Sequence, residues 1–295
     1  MGSEGLESGL MEPGEACSAC PAQVRAVLCE AGGTGVPAFA RVRHPHRYLA
    51  RQTLYHEETP ALGLYLLCRG RIKVSRADGN GREQILRLVD PGGVLGEEVL
   101  IEGARYVGTA RALEDSLAAF VAREDLLRLL RTQDGLGVSL LSHLARELVS
   151  IQASLTRVAL ADARSRLAAL LLELCHRYGQ PGRGGDPAHM AMGQANGLGV
   201  RIALNLSRGE LAAMVGLTPE TVMRLLSEFR EEGILRTEGR AVTLLAPQRL
   251  KALTLGPAET SFPRGHGESL PDRRSSVLPG RSPSHAVRRR NQTTV

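Results

Sequence analysis

LSRGELAAMVGLTPETVMRLLSEFREEGIL, residues 206–235, holds two short helices and the turn between them in its local chemistry. Ser207 followed three residues later by Glu210 is a capping box, in which each side chain satisfies the other residue's backbone N–H at a helix start. Leu211, Ala212 and Val215 give that helix an apolar face. Gly216 ends it, because a tight exit needs a residue that tolerates positive φ. Thr218 suits the cap of a second helix, and Pro219 its first position, where a missing N–H leaves no bond unmade. Val222, Leu225, Leu226 and Phe229 recur at spacings of three and four, so they mark that helix's buried face. Two short helices joined by a glycine turn predict a helix-turn-helix.

The residues left over at the start of the second helix bear on chemistry. Glu220 and Arg224 are four apart and project from one face. An arginine there can donate bidentately to guanine O6 and N7, and a carboxylate can accept from cytosine N4. The same spacing also makes an ordinary surface ion pair, worth about 0.3 kcal/mol. Placement just after the turn favours base reading. Thr218, Thr221, Ser207 and Arg208 suit phosphate contacts that fix register on a duplex. Downstream, GILRTEGRAVTLL, residues 233–245, predicts two short strands around Glu238–Gly239, a small wing.

Towards the N-terminus, VRIALNL (200–206) predicts a strand, preceded by a Gly- and Pro-rich loop over 180–199. Before that loop, ARSRLAALLLELCHRYG (163–179) is a helix with Leu167, Leu170, Leu171, Leu174 and Tyr178 on one face. Further back, Leu141, Leu144, Leu148, Ile151, Leu155 and Val158 alternate at spacings of three and four, with Arg146, Glu147 and Arg157 off the line. One amphipathic helix on its own domain fits this spacing. So narrow a seam of Leu and Ile fits better a helix that pairs with its own copy in a parallel homodimer. From His44 to Val121 the period changes to two. Runs such as LGLYLLCRGRIKV (62–74) and ILRLV (85–89), cut by the turns DGNG and DPGG, predict antiparallel strands forming a roll or barrel.

Bulk properties narrow the class. The 295 residues suffice for two domains and a tail. No apolar run reaches the roughly 18 residues of a membrane helix, and the N-terminus has no basic start before an apolar stretch, so no membrane partner is expected and a cytoplasmic location is. Of the net charge of +6, residues 256–295 carry +4, with seven arginines against three acids. The folded part is therefore nearly neutral, and residues 251–295 read as a disordered basic tail. No Gly-rich nucleotide loop, G-x-S-x-G or H-E-x-x-H motif is present, which argues against an enzyme. The chain divides into a cysteine-containing segment (1–37), a β-roll (38–134), a dimerisation helix (135–162), a winged helix-turn-helix (163–250) and the tail.

A β-roll, a long helix and a winged helix-turn-helix, in that order, resemble the CRP/FNR family of bacterial transcription regulators over residues 40 to 250. The likeness is sharpest at SRGELAAMVGLTPETVMRLLSEFREEGIL and at DPGGVLGEE. It implies an α+β protein whose first domain is like a cyclic-nucleotide-binding domain. Its partners would be double-stranded DNA with two half-sites, a second copy of the chain and RNA polymerase. In the family's E-T-x-x-R motif the Glu and Arg read a G·C-containing core, roles that pass to Glu220 and Arg224. Pro219 replaces an Arg that CRP-like members carry. Met223 stands where FNR-like members have Ser and suits a thymine methyl.

The resemblance also frames the signal. Cyclic-AMP binders grip the ribose and phosphate with a Gly-Glu and a later Arg-Ser. Here Gly96–Glu97 is present, but Arg105 is followed by Tyr106, so cyclic AMP is not expected. Gly92, Gly93 and Gly96 also serve simply as turn residues. Cys17, Cys20 and Cys29 resemble the ligand segment of FNR-type oxygen sensors, which hold an iron–sulfur cluster. The family places a fourth cysteine where this chain has Ala119. Cys68 is one candidate fourth ligand and a core thiol equally; His44 and His46 are others, and Cys175 reads as core. Zinc in the same cysteines, haem on Cys68 or a histidine, and no metal at all remain alternatives. An acidic residue that opposes pairing in FNR relatives is replaced by Ile151, which predicts a permanent dimer.

Overall fold

The computed structural model describes residue 39 and residues 41–181 and 199–254. Eight strands build the first half: β1 (His44–Tyr48), β2 (Thr53–Tyr55), β3 (Gly63–Arg69), β4 (Ile72–Ala77), β5 (Glu83–Val89), β6 (Val94–Leu95), β7 (Thr109–Ala112) and β8 (Ser116–Ala122). They form two four-stranded antiparallel sheets, ordered β1-β8-β3-β6 and β2-β7-β4-β5, the roll that the two-residue period predicts. Register brings Leu64 opposite Val121, Leu66 opposite Ala119 and Leu67 opposite Ala118, and all six are buried. The DGNG turn closes β4 onto β5: the Asp78 carboxylate accepts the N–H of Asn80 and of Arg82, each at 2.9 Å, and Gly81 takes φ of 78°. Helix α1 (Arg123–Thr132) caps the roll through Leu126 and Leu129.

Helix α2 (Leu136–Leu160) follows. Leu136, Leu140 and His143 are buried, whereas Leu141, Leu148, Ile151 and Leu155 are each more than half exposed and Leu144 is half-buried. The side chain of Val158 lies outside the described residues. Asp162 then caps α3 (Ala163–Tyr178) by accepting from the Ser165 N–H at 2.7 Å. The five residues of its predicted apolar face are all buried, and Cys175 is half-buried beside them, its thiol pushed up by burial.

The second half contains α4 (Arg208–Val215), α5 (Pro219–Glu231), α6 (Pro247–Thr254) and a sheet ordered β11-β12-β10-β9. In it, β9 is Gly179–Pro181, β10 Val200–Ile202, β11 Leu235–Glu238 and β12 Ala241–Leu244. Two boundaries differ from the sequence reading. The strand expected over 200–206 pairs only at Val200–Ile202, because Leu204 and Leu206 turn into the core on the way to the Ser207 cap. Residues 251–254, expected in the tail, are helical: α6 runs to Thr254, with Leu250 fully buried and Leu253 packed on the same core. The rest of the expected tail, residues 255–295, lies outside the described residues.

The two halves meet along β4 and β5. Ile85 and Leu88 belong to the core that also holds Leu171, Leu211 and Phe229. Lys73, almost fully buried, donates to Glu83 at 2.9 Å and lies 3.5 Å from Glu210 of α4. Burial tends to raise the Glu83 carboxyl, but hydrogen bonds from Ser75 and Lys73 prevail and lower it. Asp90 accepts from Arg177 at 2.6 Å and from the Tyr178 hydroxyl at 2.9 Å, and Arg82 donates to the Gly216 carbonyl at 3.1 Å.

Candidate nucleic-acid interface and the charged cluster of the roll

The local chemistry of residues 207–221 takes its expected form. Ser207 Oγ accepts the Glu210 N–H at 3.1 Å while Glu210 Oε2 accepts the Ser207 N–H at 2.8 Å. Gly216 ends α4 with φ of 66°. Thr218 caps α5 by accepting from the Thr221 N–H at 3.3 Å, and the two hydroxyls lie 3.0 Å apart. Val222, Leu225, Leu226 and Phe229 are buried. Because these four occupy one side of α5, Glu220, Met223 and Arg224 are exposed on the other, at its N-terminal end. Arg208 is more enclosed: it donates to the Gly239 carbonyl at 2.9 Å, tying α4 to the wing turn, and burial lowers its guanidinium.

The ordinary ion pair that the Glu220–Arg224 spacing allows does not form. Arg224 Nη1 instead donates to Glu228 Oε1 at 2.6 Å, one turn further on. Glu228 also accepts from Arg164 of α3 at 3.0 Å, so its carboxylate is already fixed and the second contact costs less side-chain freedom. Arg164 pairs with Glu232 too and lies 4.8 Å above the Phe229 ring. Sequence reading missed Glu228 and Arg164; the i,i+4 spacing of Arg224 and Glu228 was the available signal.

A second set of charges lies where the roll meets α2. Glu97 accepts from Arg87 at 2.8 Å and lies 3.5 Å from His143 Nε2, while Arg87 reaches Glu147 at 3.3 Å. Burial tends to raise the Glu97 carboxyl, yet the neighbouring His143 and the charge and hydrogen bonds of Arg87 outweigh it and hold the group at about 2. Gly96 takes φ of 84° to aim Glu97 inward; a Cβ there would meet the Gly63 carbonyl at 3.0 Å and the Tyr106 ring at 2.9 Å. The Tyr55 and Tyr106 rings stack at 3.9 Å, and Tyr106 donates to the Gly63 carbonyl at 2.8 Å. Arg105 is turned to the Glu58 carbonyl.

Cys17, Cys20 and Cys29 lie outside the described residues. Cys68 is buried in the roll's core, as is Ala119 on the neighbouring β8. His44 and His46 are exposed on β1. Among the described residues no group of three or more His, Cys, Asp or Glu side chains is placed to hold a metal.

The sequence pattern of the cyclic nucleotide-binding domain matches residues 45–133, and that of the Crp-like helix-turn-helix domain matches residues 165–253. The transcriptional regulatory protein btr of Bordetella pertussis is 31% identical over 202 residues, 68% of this chain and 77% of that protein. The chain belongs to the CRP/FNR family of transcription regulators. The CRP-like cAMP-activated global transcriptional regulator of Mycobacterium tuberculosis is 25% identical over 217 residues, covering 74% of this chain and 91% of that one. The solved structure of FixK2 from Bradyrhizobium japonicum superposes with a TM-score of 0.62 at 28% identity, over 74% of this chain and all of that one. This regulator is thus a DNA-binding protein and not an enzyme. The two matched regions leave 134–164 between them, the span that holds α2. No helix among the described residues is long and apolar enough to cross a membrane.

Proposed function

We propose that this regulator binds two DNA half-sites as a homodimer joined along α2, with Glu220 and Arg224 of α5 reading a G·C-containing core in each major groove. The observation that carries the reading is the division of α5. Its buried face anchors the helix while Glu220, Met223 and Arg224 stand exposed at the end that enters a groove. Glu220 accepts from cytosine N4, Arg224 donates to guanine, and Met223 lies against a thymine methyl. Thr218, Thr221, Ser207 and Arg208 are suited to phosphate contacts, although Ser207, Thr218 and Arg208 also serve the protein's own caps and wing. The exposed Leu141, Leu148, Ile151 and Leu155, with Leu144 and Val158, form the seam. Pairing there sets the two recognition helices about one DNA turn, ~34 Å, apart. RNA polymerase is the further partner of the DNA-bound dimer.

Selection from a randomised duplex library, followed by binding measurements on the preferred site, tests the base readout. Arg224→Ala is expected to cost about 1–3 kcal/mol on that site and to relax preference at one base pair. An equal loss on random DNA would mean that Arg224 touches only phosphate.

For the signal, the occupied Glu97 favours input other than cyclic AMP, because a ribose hydroxyl would have to displace Arg87 from a buried carboxylate. Cys17, Cys20 and Cys29 supply three thiolates close in sequence, the donor type that suits an iron–sulfur cluster or zinc. Cys68 does not fit as the fourth ligand, since reaching it would open the roll's core. The exposed His44 or His46, soon after that segment, fits better. A bound cluster would supply sensitivity to oxidants. Iron, sulfide and zinc analysis of anaerobically purified protein and of a Cys17/Cys20/Cys29→Ser variant tests this: iron with sulfide, lost in the variant, supports it, and metal-free wild-type protein after reconstitution rejects it.

A further inference from the structure

We infer that Glu228 is a specificity-determining positioning residue: held by Arg164, it buttresses Arg224 so that one fixed edge of the guanidinium meets the base. The inference rests on the proposed role of Arg224 as a base reader. Arg224 is a long side chain on an exposed face, with 65% of its side chain open to solvent. Left to itself, such a side chain samples many rotamers, and much of a guanine contact is spent on ordering it. Here Nη1 is anchored on Glu228 Oε1 at 2.6 Å. Among the described residues nothing engages the Nε–Nη2 edge. That edge carries two parallel N–H groups, the fork that matches guanine O6 and N7.

The buttress is itself braced. Glu228 Oε2 accepts from Arg164 Nη1 at 3.0 Å. Arg164 is in the first turn of α3 and also pairs with Glu232, whose backbone carbonyl accepts from Arg249 of α6 at 2.6 Å. A carboxylate held from its far side cannot follow Arg224 as it swings, so it selects a rotamer where a freely moving partner would only neutralise charge. Arg164 lies four residues beyond the end of α2 at Leu160, so the brace for the reading head starts at the junction between that helix and the DNA-binding half.

The experiment uses full-length protein and the duplex preferred in the library selection, together with duplexes substituted at the base pair that Arg224 reads. Affinities are measured for wild type, Glu228→Ala, Glu228→Gln, Arg224→Ala and the Arg224→Ala/Glu228→Ala double variant. Wild type is expected to discriminate by roughly tenfold or more at that base pair, the worth of one bidentate contact. Glu228→Ala should remove about half or more of that ratio on a logarithmic scale. Glu228→Gln, which keeps an acceptor in the same place, should retain most of it and controls for folding. In the double variant the discrimination should equal that of Arg224→Ala alone, because the two residues act as one unit.

If Glu228→Ala instead tightens binding to every duplex by one factor, and does so equally without Arg224, Glu228 is only a charge that repels phosphate and the inference falls. If Arg224→Ala weakens all duplexes alike, the base-reading role fails first and the buttress with it. If Arg224→Ala is base-selective while Glu228→Ala leaves the ratio unchanged, the base reader stands and the buttress alone is rejected.

Discussion

Glu97→Gln tests whether the charged cluster between the roll and α2 stabilises the protein through charge or through packing alone. The substitution keeps the side chain's size and removes its charge. A carboxyl held at about 2, against 4.5 for an unperturbed glutamate, is ionised more readily in the folded chain than in the unfolded one. With each pH unit worth about 1.4 kcal/mol, that difference corresponds to about 3 kcal/mol of stability at neutral pH. Because the folded value is depressed, the contribution is complete above about pH 5 and is lost as pH falls towards 2. Arg87 keeps Glu147 at 3.3 Å in the variant, so its guanidinium is not stranded and the loss is not much larger. Urea unfolding followed by circular dichroism, at one fixed protomer concentration and at several pH values between 7 and 3, reads both numbers. The gap between wild type and variant should be about 3 kcal/mol at pH 7 and should shrink steadily below pH 5. A gap that stays constant across this range, or stays below about 1 kcal/mol at pH 7, would refute the charge argument and leave Glu97 with only its shape.

Other substitutions probe other links. Ser207→Ala removes half of the capping box and should lower stability by about 1 kcal/mol, read from the urea midpoint, with no change in the bases preferred. Lys73→Ala leaves Glu83 and Glu210 facing each other without their shared ammonium; a loss of about 2–3 kcal/mol is expected, and raising the salt concentration should recover part of it. Leu148→Glu places a charge on the exposed seam of α2. Sedimentation should then show monomer where wild type shows dimer, with DNA affinity falling as self-association is lost. Leu171→Ala opens a cavity in the fully buried centre of the DNA-binding half and should cost about 2–5 kcal/mol by the same urea assay.

What the sequence revealed and what it hid divide along the range of the interactions. The helix-turn-helix was legible because its signals are local. Ser207 and Glu210, Gly216, and Thr218 with Pro219 each act within four residues, and the structure uses each at the predicted place. The roll and its DGNG turn were legible for the same reason, since Asp78 closes its own hairpin. The partner of Arg224 was not. Carboxylates stand four residues away on both sides, and the choice of Glu228 depends on Arg164, sixty residues earlier in the chain. Nor did any periodicity announce that Arg87, Glu97 and His143 converge from a strand, a turn and a helix. Helix α6 was not legible because Leu250 and Leu253 are too few to set a period, and only their packing on the core beside α3 identifies them as part of it.

Ile85 and Leu88, which β5 contributes to the core of the DNA-binding half, bear on how freely that half can be exchanged. A fragment beginning at Ala163 would open that apolar floor to water and leave Glu210 without the Lys73 ammonium beside it. Grafting these helices onto another sensor would therefore require the donor's β4–β5 hairpin as well, and a chimera joined at the Asp162 junction should aggregate or melt early. The unit that evolution or an engineer can move intact is larger than the helix-turn-helix and includes the β4–β5 part of the roll.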